Sequence, residues 1–265
     1  VQAARQIVAA YGTPADWQDS LYTQELLADK AAWRAKIEES RRETFDKITI
    51  SQLVGELEDC LPKDTIITTS SGNTQAQLFQ EYSFTNGQRH LTTGGFSTMG
   101  WTLPAAMGAK LAAPEKPVVA LLGDGDFLMT MQELSTMAQY GIPVVVIVAN
   151  NRCWMAIRDL QQGMLGESCV FGNDFEKDGE PYSPDFAAIA SGFGIQSERI
   201  SKRGSVKGAV ERAFASGGPA FIEADVYDRY PESGGEAFGW WDVPIPTYLE
   251  ERRARYETEL SGETV

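Results

Sequence analysis

VVALLGDGDFLMTMQELSTMAQYGIPVVVIVANN, residues 118–151, is the stretch that decides the fold. It contains two apolar runs, VVALL at 118–122 and VVVIVA at 144–149. Neither alternates with polar residues and both are rich in β-branched side chains, the pattern of strands buried on two faces. Gly123-Asp124-Gly125 follows the first run and Asn150-Asn151 follows the second. Residues 129–140 between them predict a helix that ends at Gly141. The 24 residues from 126 to 149 are enough for a loop, a helix and the second strand. If the crossover is right-handed and the strands are neighbours, both ends emerge on one edge of a parallel sheet. Neighbouring strands lie ~4.8 Å apart, so a carboxylate and an amide at those ends could share one cation. Ligands of open α/β sheets bind at that edge.

The residue types point to what the cation would be. The Asp124 carboxylate, the Asn151 amide oxygen and a backbone carbonyl just beyond are hard oxygen donors. Such donors suit Mg²⁺ or Ca²⁺, and Mg²⁺ keeps positions open for water and phosphate oxygens. The glycines beside Asp124 let the backbone approach a ligand, and the helix expected after residue 128 aims its N-terminus there. GDG alone is more often a tight turn, and NN alone a polar loop. Behind two buried strands at this spacing, a metal-bridged diphosphate site is the favoured reading. Other phosphate motifs fail: GDGDFL lacks the third glycine of the dinucleotide fingerprint, and no GxxxxGK[ST] occurs. A nicotinamide enzyme or a P-loop NTPase is therefore weakly supported.

Working outward, a helix is expected over 51–60 with Ser51 as N-cap, then a strand over 65–69 and a turn at Ser70-Ser71-Gly72-Asn73. A helix over 77–82 and a small-residue segment over 92–108 follow. Downstream, Ser183-Pro184-Asp185 reads as a helix start with Pro184 at the first helical position. Strands are expected over 195–200 and 220–226, with a helix over 205–215 between them. Alternation of this kind predicts an α/β fold, a doubly wound and mainly parallel sheet of five or six strands with helices on both faces. The charged, glycine-free text up to about residue 45 predicts one or two surface helices, read as a helical linker over 1–45. The main domain is expected over 46–230. A C-terminal region over 231–265 would comprise an ordered loop rich in Gly, Pro and Trp (231–246) and a charged helix (247–260).

Composition narrows the functional classes. The chain has 265 residues, 43% hydrophobic and 23% charged, an ordinary globular balance. No apolar run approaches the ~20 residues that span a bilayer, and the start does not read as a secretory signal, so no membrane association is expected. With 37 acidic and 23 basic residues the net charge is −14, which repels nucleic acid. Cys60, Cys153 and Cys169 lack CxxC spacing, which suggests a reducing, cytoplasmic compartment and no thiolate metal site. A single histidine, His90, argues against a His-rich metal centre or a Ser-His-Asp triad.

GDG followed by NN at this distance is the thiamine diphosphate-binding motif. With GGFSTMGWTLPAAMGAKLAAP before it, the chain resembles the C-terminal third of the acetolactate synthase, pyruvate oxidase and benzoylformate decarboxylase group, from about residue 48 to 225. The resemblance implies that Asp124, Asn151 and the carbonyl of Cys153 hold Mg²⁺ or Ca²⁺. It further implies that Gly72, Asn73 and Thr74 contact the diphosphate alongside Gly123, Gly125 and Asp126. Met99 takes the place of the bulky apolar residue that wedges under the thiazolium and bends the cofactor. Backbone groups of Ser97 and Met99 would bond the aminopyrimidine. The bend sets the 4′-amino group against C2–H, where its imino form can remove the proton and leave a nucleophilic ylide. Two departures stand out. Asp126 replaces a small or hydroxylic residue, and a carboxylate there would repel a diphosphate unless it turns away or meets the metal through water. Arg152-Cys153-Trp154-Met155 lacks the usual glycine.

The family's activating glutamate comes from the N-terminal domain of a neighbouring chain, and Glu81 and Glu133 lie in the wrong segments to replace it. The expectation is therefore half an active site. A second subunit carrying the pyrimidine-binding domain, in a hetero-oligomer such as a dimer of heterodimers, would complete it, or this chain is a fragment of a longer protein. The implied activity is decarboxylation or carboligation of a 2-oxo acid, with an aldehyde or ketone as acceptor. Alternatives are a non-decarboxylating lyase acting on 2-hydroxy ketones or 2-hydroxyacyl thioesters, and a non-catalytic scaffold subunit. Three further features stay open. His90 could shuttle a proton or be an ordinary loop residue; Phe238, Trp240 and Trp241 could form a flap or pack the tail; Cys153 reads as a backbone ligand with an inert thiol. The acidic run Glu176, Asp178, Glu180 reads as a solvated loop.

Overall fold

A computed structural model describes residues 2–11, 20–227 and 245–262. The chain divides into two compact units, 1–43 and 44–265. The first carries helices α1 (Gln2–Tyr11) and α2 (Leu21–Ser40), the latter N-capped by the Ser20 side chain.

The second unit runs β1 (Ile48–Thr49), α3 (Ile50–Cys60), β2 (Ile66–Thr69), α4 (Asn73–Glu81), β3 (Arg89–Thr92), α5 (Thr102–Ala112), β4 (Val118–Gly123), α6 (Asp124–Thr130) and α7 (Glu133–Gln139). It continues with β5 (Val145–Asn150), α8 (Met155–Leu165), the hairpin strands β6 (Glu176–Lys177) and β7 (Glu180–Pro181), α9 (Phe186–Gly192), β8 (Gln196–Ile200), α10 (Val206–Ala215), β9 (Ala220–Tyr227) and α11 (Glu250–Gly262). Seven parallel strands form the main sheet in the order β3-β2-β4-β5-β9, with β1 and β8 both paired to the far side of β9. The doubly wound α/β fold is therefore as read from sequence.

The absence of polar alternation in the central strands follows from burial on both faces. Val119, Leu121, Val145 and Ile147 pack into a cluster with residues of α3, α4 and α10. Their neighbours Val118, Ala120, Leu122, Val146 and Val148 point the opposite way, into a cluster with α5, α6, α7 and α9. Because β3 and β4 flank β2 on opposite sides, the winding direction reverses between β2 and β4. The carboxyl ends of those two strands open a crevice where such sheets bind ligands.

Several local expectations are corrected. The sheet has seven strands rather than five or six, because the two-residue β1 and the half-polar β3, RHLT, carry no periodic signal. Thr49, not Ser51, caps α3, in a capping box where Gln52 bonds back to the Thr49 N–H. The helix expected over 77–82 begins four residues earlier, directly after Gly72. The single helix expected over 129–140 is two: 3-10-type bonds from Leu134 N–H to Met131 O and Ser135 N–H to Gln132 O interrupt the ladder. The first starts at Asp124 itself, not after residue 128. Pro184 lies outside α9, whose N-cap is Asp185, accepting from the Ala188 N–H at 2.8 Å. The acidic run is exposed, as expected, but forms the β6–β7 hairpin. Most of the loop expected over 231–246, with Phe238, Trp240 and Trp241, lies outside the described residues.

Candidate active site

β4 and β5 are neighbours in register, Gly123 opposite Ala149, so their exits lie side by side. Asp124 begins the helix after β4 and is buried. One carboxylate oxygen accepts from the Gly125 N–H at 2.7 Å, the other from the Arg152 N–H at 2.6 Å. The loop after β5 is thus docked onto Asp124. Burial pushes the Asp124 carboxyl up to about 6, against the opposing pull of these backbone donors.

The two asparagines separate in role. Asn150 donates to the fully buried Glu223 and to Ser183 Oγ, both at 2.8 Å, and so ties the end of β5 to β9 and the approach to α9. Asn151 faces the crevice, its Oδ1 accepting from the Cys153 N–H at 3.1 Å. Arg152 between them adopts φ +62°, a conformation glycine favours. Its backbone bond to Asp124 and a 2.8 Å ion pair from Nη1 to Asp225 hold it there. Cys153 is buried in a bridge to Asp174 and forms no disulfide.

One cleft of about 540 Å³, counted with its open mouth, gathers most of the residues singled out from sequence. Gly72, Asn73 and Thr74 line it from the turn after β2, and Gly123, Asp124, Gly125 and Asp126 from the end of β4. Asn151 and Cys153 line it from the loop after β5, and Met99 from the segment before α5. Gly72 sits at φ +94°, which only glycine adopts freely. A Cβ on Gly125 would overlap the Trp154 indole and come within 3.1 Å of Met99 Cε. Trp154 is one of the lining residues that sequence reasoning missed, with Ile50, Met155, Ala156 and Ile157; its position just past the Asn-Asn motif was the available signal.

Ser97 is not among the lining residues. It ends the 3-10 turn Gly94–Phe96 at φ +49°, its N–H bonded to Gly94 O and its hydroxyl donating to Ser70 O at 2.9 Å. Asp126 is buried, and its carboxylate turns to protein donors: Ser70 Oγ and Thr102 Oγ1 at 2.6 Å each, and the Gly100 N–H. His90 stands on β3 with Nε2 2.6 Å from Thr69 Oγ1 and its ring beside Phe79 and Phe84, away from the cleft lining. Glu81 accepts from Ser51 Oγ at 2.5 Å and Glu133 from Thr136 Oγ1 at 3.1 Å; neither lines the cleft.

Residues 70–224 match the family described as thiamine pyrophosphate enzyme, C-terminal TPP binding domain. The chain belongs to this family. The Escherichia coli (strain K12) acetolactate synthase isozyme 2 large subunit is 30% identical over 211 residues, covering 80% of this chain and 36% of that protein. The mitochondrial acetolactate synthase catalytic subunit of Aspergillus candidus is 34% identical over 217 residues, covering 77% of this chain and 30% of that one. A solved structure, the Rhodococcus jostii RHA1 thiamine diphosphate-dependent 4-hydroxybenzoylformate decarboxylase, matches with a TM-score of 0.63 at 27% identity, covering 72% of this chain and 34% of that one. This thiamine pyrophosphate enzyme C-terminal domain thus spans about a third of the length of the curated relatives it matches.

The residues of the TPP-binding domain fit a cation-bridged diphosphate. Among the described lining residues there is no Lys, Arg or His, and Asp124 is a carboxylate, so a bare diphosphate would be repelled, and a divalent cation reverses the local sign. Among the described residues no three His, Cys, Asp or Glu side chains cluster around a metal position. The protein donors available to a cation are therefore one carboxylate, one amide and backbone oxygens, a hard set that leaves room for phosphate oxygens. The buried Asn73 Oδ1, which has no hydrogen-bond partner, adds an acceptor in the cleft wall. Among the described residues no helix is long and apolar enough to cross a membrane.

Proposed function

We propose that this chain is the diphosphate- and Mg²⁺-binding part of a thiamine diphosphate-dependent enzyme that makes or breaks a C–C bond next to a carbonyl. The observation that carries this reading is the convergence of Asp124, Asn151, the Gly72–Thr74 turn and Met99 on one cleft at the carboxyl edge of the sheet. Asp124, Asn151 and the Cys153 carbonyl would hold the cation, which neutralises the diphosphate in a cleft whose described lining residues include no basic side chain. Gly72, Gly123 and Gly125 would let the backbone approach, and Met99 would form the wall on which the cofactor bends. When bound, thiamine diphosphate supplies a nucleophilic carbon and an electron sink beside it. The substrate would be a 2-oxo acid, as the names of the synthase and decarboxylase relatives suggest for those proteins, with decarboxylation or carboligation as the outcome.

Among the described lining residues the carboxylates are Asp124 and Asp126, the first turned to backbone N–H groups and the second to Ser70, Gly100 and Thr102. Neither is placed as the activating glutamate, which supports its supply from a partner domain in a hetero-oligomer. Cys60, Cys153 and Cys169 form no disulfide, which is compatible with a reducing, cytoplasmic location. Calorimetry with Mg²⁺ tests the core of this reading: the wild-type chain should bind thiamine diphosphate only with the metal, and Asp124→Ala should abolish that binding. Unchanged affinity in Asp124→Ala would remove the metal site from the proposal.

A further inference from the structure

The carboxylate of Asp126 sits in a cleft meant for a polyanion, yet points away from it. Its three donors come from two stretches of chain: Ser70 from the turn after β2, and Gly100 and Thr102 from the run that joins the Met99 segment to the first turn of α5. Only a carboxylate offers enough lone pairs, on two oxygens, to accept all three. The Met99 segment is confined on its other side as well. Gly100 adopts φ +83°, and a Cβ there would come within 3.2 Å of Met129 Cβ and 3.3 Å of Thr130 Cγ2. Thr93 and Ser97 also donate to Ser70 O, at 3.1 and 2.9 Å, so the whole approach to Met99 is laced to the end of β2.

We propose that Asp126 is a positioning residue whose carboxylate, through the Gly100 amide and the Ser70 and Thr102 hydroxyls, sets how far Met99 reaches into the cleft. The inference rests on the reading that this cleft takes thiamine diphosphate with Met99 under its ring. It also accounts for the acidic residue at this position. The negative charge is consumed by short bonds to protein donors, two of them hydroxyls from elements flanking the cleft, and is not presented to the diphosphate. Charge-assisted bonds of this kind are about twice as strong as neutral ones, so the segment would be held firmly without the cofactor.

Two neutral variants separate positioning from charge. Asp126→Asn keeps an oxygen for the Gly100 N–H, and its amide can donate to a hydroxyl that rotates to accept. Asp126→Ser keeps a polar group near Ser70 and Thr102 but draws back from Gly100. Amide hydrogen exchange of the chain without cofactor should rise about tenfold or more at residues 99–101 in Asp126→Ser and stay within about twofold of wild type in Asp126→Asn. Calorimetry then compares thiamine diphosphate with inorganic pyrophosphate, each with Mg²⁺. Pyrophosphate engages the metal and glycines but cannot reach Met99. The ratio of the two affinities should fall about tenfold in Asp126→Ser and hold in Asp126→Asn; a merely structural weakening would lower both affinities together. An unchanged exchange rate in Asp126→Ser, or one affinity ratio for all three proteins, overturns the positioning role. Failure of the wild-type chain to bind either probe would instead count against the cofactor reading, and the exchange data would still judge the Asp126–Gly100 link.

Discussion

At Gly125 a missing side chain keeps two large ones in place. A Cβ would collide with the Trp154 indole and crowd Met99, so Gly125→Ala should displace one of them and lower thiamine diphosphate affinity about tenfold or more. Adding Trp154→Ala should recover part of that loss, and calorimetry on the two single variants and the double variant measures the coupling. The neighbouring asparagines make a sharper contrast. Asn150→Ala leaves the buried Glu223 short of a donor and should cost about 1–3 kcal/mol in urea unfolding, with metal binding affected only through that loss. Asn151→Ala should leave stability within about 1 kcal/mol while Mg²⁺-dependent cofactor binding weakens at least tenfold. Equal effects of the two substitutions on stability would contradict this division. Sequence treats Asn-Asn as one motif; which amide turns to the core and which to the cleft depends on Glu223, far along the chain and visible only once β5 and β9 pair.

Elements with a strong period were legible and those without one were not. β4 and β5 are uniform apolar runs because both faces are covered. β3 is an edge strand whose residues alternate between exposed and half-buried, and its four residues resemble any loop. Its placement decides the state of His90. Burial beside Phe79 and Phe84 pulls the imidazole down to about 4. The folded state keeps the ring neutral, whereas the unfolded chain binds a proton near 6.5, so this residue's contribution to stability is lost as pH falls from about 6.5 toward about 4. As the chain's one histidine it gives an isolated NMR titration, expected to have its midpoint near 4. A midpoint near 6.5 would mean the ring is solvated.

For the whole molecule, the cleft is lined by five separate segments of one domain, and the chain spans about a third of the length of its curated relatives. The chain alone should therefore show little turnover of a 2-oxo acid, and adding a protein that carries the pyrimidine-binding domain and its glutamate should raise it by at least about two orders of magnitude, the usual scale of a general acid–base contribution. Substantial turnover by the isolated chain would refute the shared site. The sequence by itself determined the fold class and the paired strand ends, and it named the candidate oxygen donors that meet in the cleft, because uniform burial and a fixed strand–helix–strand spacing leave a one-dimensional trace. Only the tertiary structure decided that β2 and β4 frame the cleft at the reversal of winding, that Trp154 covers Gly125, and that Asp126 turns inward to Gly100. Those outcomes depend on contacts between segments far apart in the chain, made only when the sheet brings their ends together.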